Sequence, residues 1–257
     1  MKGKRKAAIA WKVRRIVSRE RSNALFREGL ISADRRWPNI VKALQTTFAF
    51  FARRQNPYVD LTGYHKFLPE LLRREVFQRA GDILEVGAFV GVGTAKLAAV
   101  AKGYGKRVYA IDLFERGSDA TRCISGVAMD EVYDGVLKGA DQWAAYQRNT
   151  APVAETIETI RGDSARLSLP TNLRLCFAFI DGNHDPAYVR SDFRLAWSRL
   201  VPGGVVGFDD YGFDLPQVTE AVDRIMAAHE PEIQGVLKVP PKMIFLWKHD
   251  PASGAGW

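Results

Sequence analysis

The sequence predicts an α/β fold: a doubly wound, mostly parallel sheet with helices on both faces. From about residue 67 onward, short apolar runs alternate with amphipathic stretches. Parallel strands are covered on both faces, which explains why these runs are almost wholly apolar. The last two β-rich runs flank "PP" and therefore predict an antiparallel hairpin at the edge of the sheet.

The elements follow a regular order, with helices recognised by their 3.6-residue period and strands by short apolar runs. The helix FLPELLRREVFQRA precedes the strand DILEVGA and the helix GTAKLAAVAKGY. The strand RVYAIDLF, the helix DQWAAYQRNTA and the strands IETIRGD and RLCFAFIDG come next. The helix AYVRSDFRLAWSRL, the strand GVVGFDD, the helix LPQVTEAVDRIMAAH and the hairpin EIQGVLKV–KMIFLWKH complete a seven-stranded sheet. Residues 115–140 fit neither period clearly, and we expect a lid or substrate loop there.

The positive charge is concentrated at one end of the chain. Residues 1–60 hold 15 of the 37 Lys and Arg but only four of the 29 Asp and Glu, so the rest holds 22 basic and 25 acidic residues. We therefore expect a basic helical extension (1–60) and a main domain (61–257). The extension could pack on the body or form a homodimer, or lie peripherally on an anionic membrane. Nucleic acid is disfavoured as a partner because the main domain is mildly acidic.

The composition is that of a globular protein, with 47% hydrophobic and 26% charged residues. No apolar run approaches the roughly 20 residues that span a bilayer. The basic N-terminus lacks the continuous apolar core and cleavage site of a secretory signal. Cys123 and Cys176, the two cysteines, suggest neither a disulfide framework nor a zinc site. These features predict a reducing, cytoplasmic setting.

The turn after the first strand, ILEVGAFVGVGTAKLA, carries Glu85, Gly87, Gly91 and Gly93. Glycines permit positive φ and close approach of a ligand, and the following helix offers free N–H groups. The G-x-x-x-G-x-G spacing is neither that of a dinucleotide fingerprint nor that of a P-loop. With its glutamate it resembles the first motif of class I methyltransferases, which use S-adenosylmethionine. The resemblance implies a Rossmann-like fold and makes these four residues candidate cofactor contacts.

Polar residues also end the next two strands. Asp112 ends the second strand, where an acid can accept hydrogen bonds from both ribose hydroxyls. Asp163 and Ser164 end the third strand. The resemblance implies that Asp112 binds the ribose and that Asp163 and Ser164 lie near the adenine. Taken alone, Asp112 could equally be a cap at the end of a strand.

Acidic residues gather after the fourth and fifth strands. Asp181 and His184 follow the fourth strand, and Asp209 and Asp210 follow the fifth. Both loops lie at the carboxyl edge of the sheet, where ligands bind in open α/β folds. Three converging carboxylates repel one another unless a cation lies between them, and oxygen ligands favour Mg²⁺ or a similar hard ion. We therefore expect Asp181, Asp209 and Asp210 to share a divalent metal.

The segment IDGNHDPAYVRSDFRLAWSRLVPGGVVGFDDYG resembles the D-G-[DN]-H … P-G-G … D-D-Y region of metal-dependent O-methyltransferases. The similar group is the one typified by macrocin O-methyltransferase, and the resemblance covers about residues 65–250. It implies that the three aspartates bind Mg²⁺, which holds two vicinal oxygens of a sugar or glycosylated natural product. Residues 1–60 and 115–140 match that group poorly.

A metal lowers the pKa of a bound hydroxyl, and a nearby base removes its proton. Asp181 and His184 are the two candidate bases, although His184 could instead be a structural histidine. Tyr211 and His65 are candidate residues of the acceptor pocket.

Three other functions stay open. A catechol-type or caffeoyl-CoA-type acceptor would suit the same metal site. An RNA methyltransferase is disfavoured because amino-methylating enzymes often carry [DNS]-P-P-[YFW] after the fourth strand, where this chain has DGNH. A non-catalytic cofactor-binding protein is disfavoured by the presence of all three acids.

Overall fold

The computed structural model describes residues 62–115 and 117–252. The basic extension, with its predicted dimer or membrane contacts and the disfavoured nucleic-acid contact, lies outside the described residues. No helix in the described part of the chain is long and apolar enough to cross a membrane.

One sheet of seven strands organises the described chain. Its order is β3-β2-β1-β4-β5-β7-β6, with β1 to β5 parallel and β7 antiparallel to both of its neighbours. The predicted mostly parallel sheet with an antiparallel hairpin is therefore confirmed. The strands are β1 (Asp82–Val86), β2 (Val108–Asp112), β3 (Ile157–Arg161), β4 (Leu175–Ile180), β5 (Leu200–Phe208), β6 (Ile233–Val239) and β7 (Met243–Lys248).

The strand order reverses between β1 and β4, which places a crevice at the carboxyl ends of these two strands. Helices cover both faces of the sheet, so successive strand residues such as Ile83 and Leu84 enter opposite cores. One core includes residues of α1, α2 and α4, and the other residues of α3, α5 and α6. The helices are α1 (Leu68–Arg73), α2 (Val92–Gly103), α3 (Met129–Leu137), α4 (Gln142–Thr150), α5 (Pro186–Trp197) and α6 (Pro216–Ala228).

Two segments differ from the pattern-based prediction. The first predicted helix stops at Arg73, because Glu75 takes a left-handed backbone conformation (φ 58°), and a three-ten turn at Val76–Gln78 follows. Residues 115–140 contain the helix α3 rather than only a loop. A nine-residue helix completes only two and a half turns, so its apolar period is too short to stand out from the sequence.

Candidate active site

Glu85, at the end of β1, lies beneath the glycine turn. It is 1% exposed and accepts hydrogen bonds from Tyr64 Oη and Thr94 Oγ1, both at 2.5 Å. The Tyr64 ring packs on Phe67 and Phe179, with centroids 5.0 and 5.2 Å away, which fixes the direction of its hydroxyl. Burial raises the pKa of Glu85 to about 7, although the two hydroxyls oppose the rise. Glu85, predicted as a cofactor contact, therefore lies under the glycine turn and supports it.

Gly87 joins the glycine turn to the acidic loop after β4. Its φ is 91°, and a Cβ built on it would lie 1.9 Å from the main-chain oxygen of Asp181. Asp181 N in turn donates to Val86 O at 2.8 Å. Only glycine allows this approach, so two of the predicted ligand loops are in main-chain contact.

Gly91 and Gly93 serve the packing of the turn onto neighbouring side chains. A Cβ on Gly91 would lie 2.8 Å from the Tyr146 ring, and one on Gly93 would lie 2.5 Å from the Tyr64 ring. Gly91, at φ 76°, also precedes the first residue of α2. Both predicted cofactor glycines therefore lie where the turn after β1 passes into α2.

Asp112 ends β2 beside the glycine turn. Its Oδ2 accepts from the Phe89 N–H at 2.7 Å, and its Oδ1 accepts from the Phe114 N–H at 2.6 Å. Gln142 Nε2 donates to the same Oδ1 at 3.3 Å. Burial raises the pKa of Asp112 to about 6, while the main-chain donors oppose the rise. The carboxyl group thus links the turns after β1 and β2, at the position where an acid could accept from a ribose.

Asp163 and Ser164 follow β3 at the same edge of the sheet. Asp163 Oδ1 accepts from Ala165 N at 3.0 Å, and Oδ2 accepts from Tyr188 Oη at 3.3 Å. Ser164 lies beside Asp192, a fully buried acid whose pKa burial raises to about 7. Asp163 has a 17% exposed side chain, so it remains accessible to a ligand.

The acids after β4 and β5 converge as expected. Asp209 N donates to Ile180 O at 3.0 Å, which brings the end of β5 against that of β4. Thr62 Oγ1 donates to Asp181 Oδ2 at 2.6 Å. Asp181 and Asp210, together with His184, offer ligand atoms that all lie within 4.8 Å of one another. We call Asp181, Asp209, Asp210 and His184 the acidic cluster.

His184 is held between two carboxylates. Its Nδ1 lies 2.5 Å from Asp119 Oδ2, and its Nε2 lies 3.0 Å from Asp210 Oδ2. Burial opposes the charged imidazolium, but hydrogen bonds and charge from Asp119 and Asp210 outweigh it and raise the pKa of His184 to about 10. A histidine whose Nδ1 is fixed by a carboxylate presents Nε2 in a defined direction, as metal-binding histidines do.

The donor set fits a divalent cation. Asp209 Oδ1 is a buried atom that makes no hydrogen bond within the described part of the chain, and His184 Nε2 is buried with its 3.0 Å ion pair to Asp210. Ligand atoms on opposite sides of Mg²⁺ are about 4.2 Å apart, since each lies about 2.1 Å from the ion. The 4.8 Å spread of Asp181, His184 and Asp210 approaches this value, and small side-chain rotations would close the difference.

Lys242 stands against the acidic cluster and was missed by the sequence analysis. Its ammonium contacts Asp209 Oδ2 and lies 3.3 Å from Asp210 Oδ1. Burial disfavours the charged ammonium, but the carboxylates of Asp209, Asp210 and Asp181 outweigh it and raise the pKa of Lys242 above its usual range. The predicted metal ligand Asp209 is therefore engaged with a lysine.

Comparison with known proteins decides the family. Residues 84–211, which run from β1 to the acids after β5, match the family described as a methyltransferase domain. The chain belongs to the S-adenosylmethionine-dependent methyltransferases. No curated protein matches it significantly.

Several solved structures are similar to this methyltransferase, and one of them, NovP, shows the same fold. The O-methyltransferase NovP is 18% identical, with a TM-score of 0.56 over 70% of this chain and 78% of NovP. CalS11, a TDP-rhamnose 3'-O-methyltransferase of calicheamicin biosynthesis, is 15% identical over 84% of this chain and 96% of CalS11, with a TM-score of 0.47. MycE of the mycinamycin pathway is 15% identical over 82% of this chain and 57% of MycE, with a TM-score of 0.44.

The segment 117–137, which we call the cover, lies over the acidic cluster of the methyltransferase. Besides the Asp119 contact, Asn183 Nδ2 donates to Ser118 O at 2.8 Å and Ile124 N donates to Asp214 O at 3.0 Å. The ring of Tyr133 in α3 packs tilted against the ring of Phe89, with centroids 5.3 Å apart. Burial, then the charges of the nearby acids, raise the pKa of Tyr133 well above 10, so its phenol stays protonated.

Tyr211, one of the two predicted pocket residues of the methyltransferase, is directed away from the acidic cluster. Tyr211 Oη donates to Asp223 Oδ1 of α6 at 2.9 Å, and Lys238 lies over its ring. Its main-chain N–H donates to Lys242 O at 2.8 Å, so Tyr211 supports the loop rather than lining the cluster. The side chain of His65 is not among the described parts of the chain.

Proposed function

We propose that this enzyme transfers the methyl group of S-adenosylmethionine to a hydroxyl group of a sugar or glycosylated natural product, with a divalent cation in the acidic cluster. The observation that carries the proposal is the contact between the glycine turn, the proposed site of the methyl donor, and the acidic cluster. The position of a Cβ on Gly87 lies 1.9 Å from Asp181 O, so the glycine turn and the first acid are joined. NovP, whose fold this chain shares, is itself an O-methyltransferase.

The cofactor would lie across the carboxyl ends of β1, β2 and β3. Asp112 would accept from the ribose hydroxyls, and Asp163 with Ser164 would contact the adenine. Glu85 is fully enclosed by Tyr64 and Thr94, so its proposed role is to hold the shape of the turn. Gly87, Gly91 and Gly93 would let the turn approach the donor closely.

The acceptor would bind over the acidic cluster. A divalent cation held there supplies Lewis acidity and lowers the pKa of the acceptor hydroxyl. Asp181 is the group within the cluster that could take the proton directly. His184, whose pKa of about 10 keeps it protonated, could act as the base only after it has lost its own proton. Asp119 fixes the imidazole of His184 through Nδ1, at 2.5 Å, so its Nε2 keeps one direction. The methyl group on sulfonium is already activated, and positioning for in-line attack supplies much of the remaining rate.

A catechol-type acceptor is the second candidate. The observation that favours it is the aromatic pair of Phe89 and Tyr133 beside the acids, where a planar phenol could stack. Two vicinal phenolic oxygens would use the same cation as two sugar hydroxyls. A cytoplasmic setting is proposed for either function, which is consistent with the absence of a disulfide between the buried Cys123 and Cys176.

Titration calorimetry tests the proposal, first with S-adenosylmethionine and then with Mg²⁺. We expect Asp210→Asn to keep its cofactor affinity and lose at least about tenfold in Mg²⁺ affinity, since a ligand is removed. Asp223→Asn, whose carboxyl group binds Tyr211 instead, is the matched control and should keep both affinities. Each chain is then assayed with sugar diols and catechols, with and without chelator. Methyl transfer that survives both chelator and Asp210→Asn would contradict the metal-dependent reaction.

A further inference from the structure

We propose that Lys242 is a resident cation that holds Asp209 and withdraws it from the metal site. The divalent cation is then left with three ligands: Asp181, His184 and Asp210. The inference rests on the proposed function, and it departs from the three-aspartate set that the sequence predicts.

The backbone of the hairpin delivers Lys242 to this place. Strand β7 runs antiparallel to β5, and Phe208 pairs with Ile244. Asp210 lies two residues after Phe208, and Lys242 lies two residues before Ile244. Because the strands are antiparallel, these two residues face each other at the carboxyl edge of the sheet. Tyr211 N donates to Lys242 O at 2.8 Å, which fastens the turn after β6 to the turn after β5. The lysine is thus positioned by main-chain pairing and not only by the reach of a flexible side chain.

The ion pair that Lys242 makes is shielded from water. Its side chain is 17% exposed, and that of Asp209 is 1% exposed. The ammonium contacts Asp209 Oδ2 directly and lies 3.3 Å from Asp210 Oδ1. A pair with little solvent around it is weakly screened, and separating it would leave Asp209 buried beside two other acids. Lys242 therefore stays with Asp209 when a second cation enters the cluster.

The charges and the directions of the remaining groups suit one divalent ion. The carboxylates of Asp181, Asp209 and Asp210 outnumber the Lys242 ammonium, so negative charge remains for a divalent cation to balance. Among the described residues, the ligand atoms that converge within 4.8 Å belong to Asp181, His184 and Asp210, and Asp209 is not in that group. His184 Nε2 is buried and pairs at 3.0 Å with Asp210, itself a proposed ligand, so a cation that displaces the Nε2 proton can bind both groups.

Two double variants with the same change of charge separate the roles of the two neighbouring acids. Lys242→Met/Asp209→Asn removes the proposed ion pair, and Lys242→Met/Asp210→Asn removes the lysine together with a proposed ligand. The probe is Mn²⁺, which takes the same oxygen and imidazole ligands as Mg²⁺ and whose free form is measured by electron paramagnetic resonance. Full-length chains are titrated in the presence of S-adenosylhomocysteine, whose binding also reports that each variant is folded. Gln replaces Met at position 242 if the first pair does not fold.

We expect Lys242→Met/Asp209→Asn to bind Mn²⁺ within about threefold of the wild-type affinity, because ligands and net charge are kept. Lys242→Met/Asp210→Asn should bind at least about tenfold more weakly, because a ligand is lost. Equal losses in both variants would overturn the proposal, since Asp209 would then be a ligand from which Lys242 moves away. Absence of Mn²⁺ binding by the wild-type chain would overturn both this proposal and the proposed metal dependence. That result is distinguishable from equal losses in the two variants, which overturn the role of Lys242 alone.

Discussion

The buried carboxyl group of Glu85 should make the stability of this enzyme depend on pH. Burial raises its pKa from 4.5 to about 7, so the folded chain keeps a proton that the unfolded chain has already released. The contribution of Glu85 to stability is therefore largest below pH 4.5 and is lost as the pH rises through 7. The change that tests this is Glu85→Gln, which keeps the shape of a neutral carboxyl group. Tyr64 and Thr94 can both retain a partner, because their hydroxyls can donate or accept.

The magnitude follows from the change in pKa. Each pKa unit corresponds to about 1.4 kcal/mol, so ionising Glu85 in the folded chain costs about 3 kcal/mol above pH 7. At pH 5 most of this cost is absent. We therefore expect the free energy of unfolding of the variant, relative to wild type, to rise by about 2–3 kcal/mol between pH 5 and pH 8.5.

Urea denaturation of both chains at the two pH values measures this difference, without cofactor. Asp112 and Asp192 also have raised pKa values, but they are present in both chains and cancel in the comparison. Glu155→Gln is the control, because that glutamate is exposed and pairs with Lys102, whose hydrogen bond lowers its pKa. A stability difference between Glu85→Gln and wild type that is equal at both pH values would refute the reasoning.

Three further changes probe the site. Asp112→Asn should weaken S-adenosylmethionine binding about 10- to 100-fold in calorimetry, since it weakens a charged acceptor of hydrogen bonds; unchanged affinity would argue against ribose binding. Gly87→Ala should lower the free energy of unfolding, measured in urea, by more than about 3 kcal/mol, because Gly87 has a φ of 91° and the new Cβ would overlap Asp181 O. A smaller loss would mean that the turns after β1 and β4 separate easily. Asp119→Asn should lower the pKa of His184, followed by NMR, and reduce kcat about tenfold while cofactor affinity holds; an unmoved titration would contradict the pairing.

The sequence predicted the sheet and the meeting of the acids for the same physical reason. Parallel strands end at one edge, so residues that follow neighbouring strands must meet there. Asp181 and Asp209 met this condition, because β4 and β5 are adjacent. The role of Glu85 could not be read in this way, since a motif does not distinguish a residue that touches a ligand from one that supports the turn.

The two partners that sequence reasoning missed differ in whether a signal existed. Asp119 lies 65 residues before His184 in a segment without a clear period, so nothing in the chain pointed to their contact. Lys242 could have been found. Once the final hairpin is antiparallel to β5, the residue just before β7 must lie at the same edge as Asp210. The position of Lys242 is predicted by the pairing of strands and not by a sequence motif.

The main-chain contact at Gly87 fixes the position of Asp181 relative to the glycine turn, whereas the cover is not held in this way. The glycine turn and Asp181 are held together backbone to backbone, without an intervening side chain that substitution could lengthen or shorten. Under the proposed function, the distance over which the methyl group travels is thus set by the sheet itself. The cover (117–137) has no such restraint from glycine, and its side chains meet the acids from outside. New acceptors could therefore arise through changes in the cover alone, while the reacting geometry is inherited intact.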